Sequence, residues 1–89
     1  MEVFKDKSKM LSYVALYFKK KSIGFVPTMG ALHDGHLHLV KQAKEKCDIV
    51  ICSIFINPTQ FNEKTDFISY PRNEKADLKQ LKNIDCDIV

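Results

Sequence analysis

The sequence predicts an α/β fold: a partial, Rossmann-like, doubly wound parallel sheet assembled from βαβ units. Three observations lead there. Two short, almost continuous apolar runs, Ile23-Gly24-Phe25-Val26 and Asp48 to Ile56, read as strands buried on both faces. The segments around them carry apolar residues at helical spacing. The chain closes on Asp87-Ile88-Val89, repeating the Asp48-Ile49-Val50 that opens the second run. Three residues recur by chance, but in this position they read as the start of a third strand. Strands and helices that alternate in this way form right-handed parallel crossovers.

The elements follow in order. From Asp6 to Lys21, the apolar residues Met10, Leu11, Val14, Tyr17 and Phe18 share a helical face. Asp6 or Ser8 suits the cap, and Lys19-Lys20-Lys21 suits the negative end of the helix dipole. The first strand, from Ile23, closes at Pro27. Thr28 to Gly35 has two glycines and no helical pattern, so it reads as a loop. Leu39, Val40 and Ala43 give a helix over His36 to Lys46. Asn57-Pro58 stops the second strand, and a loop runs on through Gln60, Phe61 and Asn62 to Tyr70-Pro71-Arg72. Asn73 to Lys82 is a third helix, with Leu78 and Leu81 as its apolar face.

Composition narrows the function classes. The chain has 89 residues, 45% hydrophobic and 28% charged, an ordinary composition for one folded domain. No apolar run reaches the roughly 18 residues of a membrane span, and the charged N-terminus does not resemble a secretory signal. No membrane partner is expected. The net charge is +3, and all 14 basic residues except Arg72 are lysines spread along the chain. This suits a small anionic ligand and predicts no nucleic-acid partner, since arginine is the better bidentate phosphate binder. Cys47, Cys52 and Cys86 are odd in number and lack paired spacing, which reads as reduced thiols in a cytoplasmic protein.

In an open α/β sheet, ligands bind at the carboxyl ends of the strands. Two unusual loops should open there, Pro27 to His36 and Asn57 to Asn62. His33 and His36 are three residues apart at a helix start, so their imidazoles come near one face of the first turn. That helix end favours an anion, and Gly35 allows close approach to the backbone. The set suits stabilisation of charge on a phosphoryl group. The G-x-G-x-x-G dinucleotide fingerprint is absent. Plainer readings exist: two histidines at a helix start can simply cap it, and Asn57 and Gln60 can satisfy turn backbone. A zinc site from His33, His36 and a cysteine has no C-x-x-C or H-E-x-x-H pattern beside it, and no metal ligands are assigned. His38 reads as a surface residue, and Tyr70-Pro71-Arg72 as a turn with an anchoring aromatic.

Three stretches resemble the pantothenate synthetase (pantoate–β-alanine ligase) family. Phe25-Val26-Pro27-Thr28-Met29-Gly30-Ala31-Leu32-His33-Asp34-Gly35-His36-Leu37 looks like its first signature. Ser53-Ile54-Phe55-Ile56-Asn57-Pro58-Thr59-Gln60-Phe61-Asn62 looks like its second, and Tyr70-Pro71-Arg72 its third. The resemblance runs from about Ile23 to Val89. It implies a fold of the H-x-G-H nucleotidyltransferase type, and a ligase that joins pantoate to β-alanine through pantoyl adenylate. ATP would enter with Mg²⁺, and pyrophosphate and AMP would leave.

By the same resemblance, His33 and His36 are the catalytic histidines on ATP phosphates, and Thr28, Met29 and Gly35 also contact ATP. Met29, Asn57 and Gln60 position pantoate and β-alanine, with Gln60 on pantoate itself. No residue is a covalent nucleophile. The resemblance also implies a homodimer. Family members often have Glu-Asp before Tyr-Pro-Arg; here the pair is Thr65-Asp66, and roles for Asp66, Tyr70 and Arg72 stay open. The family is about three times this length. Residues 1–89 are therefore expected to be the N-terminal part of the nucleotide-binding domain, without the Lys-Asp and Ser-Arg phosphate clamps, the second pantoate glutamine or the C-terminal domain. The 89 residues alone are expected to be inactive. Another H-x-G-H nucleotidyltransferase and a silent nucleotide- or pantoate-binding fragment are the alternatives.

Overall fold

A computed structural model describes all 89 residues. In chain order they form α1 (Lys7–Tyr17), β1 (Ile23–Thr28), α2 (Asp34–Lys46), β2 (Ile49–Ile54), a single 3₁₀ turn (Pro58–Gln60), α3 (Lys64–Ser69) and α4 (Glu74–Asn83). β1 and β2 pair in parallel from Ile23 opposite Ile49 to Thr28 opposite Ile54. Both signature loops therefore leave the sheet at the same edge, as their placement after the two strands predicts.

The third strand is present in its beginning. Ile88 bridges Ile51 in parallel on one side and Glu2 on the other. The Cys52 N–H donates to the Ile88 carbonyl at 2.9 Å, and the Phe4 N–H to the Val89 carbonyl at 2.8 Å. The spatial order is β1, β2, residues 87–89, residues 2–4. The strand role of Glu2-Val3-Phe4 has no sequence signal, because three residues beside charge carry no period.

β2 supplies both halves of the core, since alternate side chains of a strand point to opposite faces. Ile49 and Ile51 join Val14 of α1 and Ile88 on one face. Val50 and Cys52 join Val26, Leu32, Val40, Leu81 and Cys86 on the other, under α2 and α4. Burying a side chain of this size contributes about 1.5–3 kcal/mol. Helices on both faces make the sheet doubly wound.

Several boundaries differ from expectation. α1 ends at Tyr17, so Lys19-Lys20-Lys21 lies beyond the helix and does not complement its dipole. Phe18 instead turns its ring onto Tyr13, with centroids 5.7 Å apart. Asp6 caps α1 as expected, accepting from the Lys9 N–H at 3.2 Å. β1 continues through Pro27 to Thr28. The Thr28 carbonyl faces β2 and accepts from the Phe55 N–H. The neighbouring Pro27 backbone therefore faces outward, where its missing N–H costs no ladder bond. α2 starts at Asp34, two residues early, with His33 as its cap. All three cysteines are free thiols, and burial pushes the Cys52 thiol up to about 12, with Cys86 adding to the effect. No helix is long and apolar enough to cross a membrane.

Candidate active site at the carboxyl edge

The first loop is shaped by hydrogen bonds at both ends. At its start, the buried Thr28 hydroxyl donates to the Ser53 carbonyl of β2 at 2.8 Å and accepts from the Gly30 N–H at 3.2 Å. Gly30 (φ 79°) and Ala31 (φ 51°) both adopt left-handed backbone. Gly30 does so without steric cost; Ala31 does not. Asp77 of α4, 3% exposed, meets this strained turn. Its carboxylate accepts from the Ala31 N–H at 3.0 Å and the Leu32 N–H at 2.9 Å.

At its far end the loop becomes the start of α2, and the two histidines cap it reciprocally. His33 Nδ1 accepts from the Gly35 N–H at 3.0 Å, and His36 Nδ1 accepts from the His33 N–H at 3.1 Å. The rings lie 4.0 Å apart between centroids. The capping reading and the ligand reading are thus compatible. With each Nδ1 accepting, each neutral ring carries its proton on Nε2, which makes it a donor on its free side. Burial holds the His36 imidazole below its ordinary value, and His33 adds to this, against an opposing pull from Asp77. The space over Gly35 is filled by this cap itself: a Cβ there would come within 2.8 Å of His33 Cε1. Glycine is needed at that position for the His33 ring before any ligand arrives.

The second loop is organised by Asn57 and an aromatic cluster. Asn57 Oδ1 accepts from the Thr59 N–H at 3.0 Å and the Thr59 hydroxyl at 2.7 Å, capping the 3₁₀ turn. Its oxygen is engaged as the plain turn reading expects, which leaves its amide N–H₂ as the group that can face a ligand. Phe61 packs edge-on to Phe67 at 5.5 Å and Tyr70 at 5.4 Å. α3 lies where the sequence reads as a loop. Its six residues are too short for a period, and Arg72 holds its end. The Arg72 guanidinium donates to the carbonyls of Phe67 (2.7 Å), Ile68 (3.1 Å) and Tyr70 (2.7 Å). It also lies 5.2 Å from the Phe67 ring centroid. Arg72 therefore has a structural task that spacing does not reveal. Asp66 falls in the first turn of α3 and is exposed.

The two loops enclose a hollow of about 410 Å³, walled by Thr28, Met29, His36, Asn57, Gln60 and Tyr70 among others. Five of the seven expected site residues meet there. His33 and Gly35 stand beside it at the start of α2. A neighbouring hollow of about 500 Å³ lies towards Lys5, Arg72 and Asp77, and Met29 borders both. No group of three or more His, Cys, Asp or Glu side chains is placed to hold a metal ion. The residue that sequence reasoning missed is Asp77. Asp77 stands four residues before Leu81, so one helical face carries both, and an acidic residue on that apolar face is the signal the sequence offers.

A parallel α/β sheet with an H-x-G-H helix start on its carboxyl edge and a polar hollow beside it defines the class: an α/β fold of the nucleotidyltransferase type. The particular family follows from comparison: the chain belongs to the pantoate-beta-alanine ligase family, whose sequence model matches residues 2–89. It is 54% identical to the pantothenate synthetase of Thermosipho melanesiensis, over 100% of this chain and 32% of that protein. It is 57% identical to the Acinetobacter baylyi pantothenate synthetase, over 79% of this chain and 25% of that one. Among solved structures it superposes on the Francisella tularensis pantoate-beta-alanine ligase, described as complexed with beta-gamma ATP and beta-alanine. The TM-score is 0.93 at 44% identity, covering 99% of this chain and 34% of that one. The pantothenate synthetase of Thermus thermophilus gives a TM-score of 0.83 at 34% identity, covering 99% of this chain and 30% of that one. The chain spans about a third or less of the length of these relatives.

Proposed function

We propose that the protein serves ATP-dependent ligation of pantoate and β-alanine to pantothenate. In the first step a pantoate carboxylate oxygen attacks the α-phosphorus of ATP, and the bond to pyrophosphate breaks. In the second, the β-alanine amine attacks the acyl carbon of pantoyl adenylate, and AMP leaves. The observation that carries this reading is the pair of reciprocally capped imidazoles at the start of α2, beside a hollow walled by Asn57 and Gln60. His33 and His36 present Nε2–H donors to the triphosphate, with the helix end favouring the same charge. Gln60 and the Asn57 amide N–H₂ orient pantoate and β-alanine, with Met29 between the nucleotide and pantoate sides. Thr28 and Gly35 act on ATP through shape, since the Thr28 hydroxyl is already bonded within the chain. Mg²⁺ enters with ATP as the substrate complex. Rate comes from orientation and charge stabilisation, with no covalent enzyme intermediate.

In this reading residues 1–89 are the N-terminal part of the nucleotide-binding domain, in keeping with the share of the relatives they match. The protein works in the cytoplasm, which its three free thiols support, and as a homodimer. The test grafts these residues onto the matching part of the 54%-identical relative and follows pantoate-dependent pyrophosphate release, then β-alanine-dependent AMP release. The graft should turn over. His33→Ala or His36→Ala should lower adenylation by about 10²–10³, the cost of one lost transition-state donor. Gln60→Ala should mainly raise the KM for pantoate. Near-normal adenylation by His36→Ala would overturn its role. The 89 residues alone should release pyrophosphate at no useful rate.

A further inference from the structure

Asp77 is the one buried charged side chain in the fold, and no cation neutralises it. The ion pairs of the molecule are Lys5 with Glu74 and Lys44 with Asp87, both elsewhere. Its two oxygens are held by two successive backbone N–H groups, of Ala31 and Leu32. A buried carboxylate is tolerated when charge-assisted hydrogen bonds of this kind replace its water.

Those two amides belong to the turn at which the backbone is least comfortable. Ala31 sits at φ 51° with a side chain that disfavours it. Such a conformation persists only where the surroundings over-determine it. Asp77 supplies that constraint from another helix, 46 residues along the chain from Ala31. The fit is tight: a Cβ on Gly30 would lie 3.1 Å from Asp77 Oδ2. Immediately after the clamped residues comes His33, whose backbone N–H donates to His36 and whose ring receives Gly35. The turn that Asp77 fixes therefore sets where both imidazoles stand.

We propose that Asp77 is a positioning residue for phosphate binding: by clamping the Ala31 and Leu32 amides it holds the His33–His36 cap in the orientation that receives ATP. This rests on the ATP reading above. The acidic residue acts without touching the anionic ligand, which its own charge would repel, because both of its oxygens are directed into backbone N–H groups.

The test uses the ¹⁵N-labelled 89-residue chain with Mg·ATP as probe, comparing Asp77→Asn with Leu81→Ala. Asparagine keeps the shape but turns an N–H₂ towards one of the two amides, so one bond becomes a repulsion. Leu81 is fully buried one turn along the same helix. Its truncation weakens the core and leaves the clamp intact. Both variants are measured at a temperature where each is folded. Asp77→Asn should speed hydrogen exchange at Ala31 and Leu32 and weaken Mg·ATP binding about tenfold, the loss of one charged hydrogen bond. Leu81→Ala should bind ATP like the unsubstituted chain. Should Asp77→Asn fail to fold, Ala31→Gly, which removes the left-handed alanine, provides the background for the same comparison. Equal ATP affinity in Asp77→Asn and the unsubstituted chain would overturn the proposal, as would an equal loss in Leu81→Ala. Absence of any ATP effect on the unsubstituted chain would count against the ligase reading instead, and exchange at Ala31 and Leu32 would then decide the clamp by itself.

Discussion

His33 and His36 do two things with one ring each. Nδ1 closes the first turn of α2, and Nε2 is left to donate outward. The H-x-G-H spacing makes the helix start legible as an anion site, but not the reciprocal cap, which depends on ring orientation. Gly35 was legible as a close-approach position; that the approaching group is His33 itself was not. The arrangement gives a pH prediction. Folding lowers the proton affinity of His36, chiefly through burial, so the unfolded chain takes up more protons as pH falls. The stabilisation is complete above the ordinary imidazole value of about 6.5 and is lost as pH drops through the lower native value. Protonation of Nδ1 also removes its bond from the His33 N–H. Urea midpoints at about pH 7.5 and about pH 5.5 should show stability falling towards the lower pH, and falling less in His36→Ala.

At the scale of elements, legibility followed period and burial. β2 was readable because a β-branched run buried on both faces is apolar at nearly every position, and α4 because Leu78 and Leu81 mark its inner face. The same apolar logic hid Asp77, whose burial is explained only by a loop 45 residues earlier in the chain. α3 was not readable, since six residues complete too few turns to show a face. Its end is held by Arg72 and its side by Phe61, contacts that exist only once the second loop has folded. Tyr70-Pro71-Arg72 thus works first as scaffolding: Arg72 closes α3, and Tyr70 reaches from that scaffold to the wall of the hollow.

At the scale of the molecule, one face of β1 is uncovered. Ile23 and Phe25 are 43% and 61% exposed, and Phe55 beside them 64%. β1 also has a strand neighbour on one side only, and a free strand edge with an apolar face invites association. The proposed homodimer predicts a light-scattering mass of two chains; a mass of one chain at high concentration would count against it. The sheet brings two distant loops to a single edge, and in the proposed function this edge receives ATP through two of the three histidines. His38, exposed on α2 two residues past the cap, is an internal control. Titrating the protein with Mg·ATP while following the three imidazole resonances reports on this edge residue by residue. Saturable shifts are expected at His33 and His36, with His38 unmoved. Shifts of equal size at all three, or none at His33 and His36 up to millimolar ATP, would rule out ATP recognition by this pair of histidines.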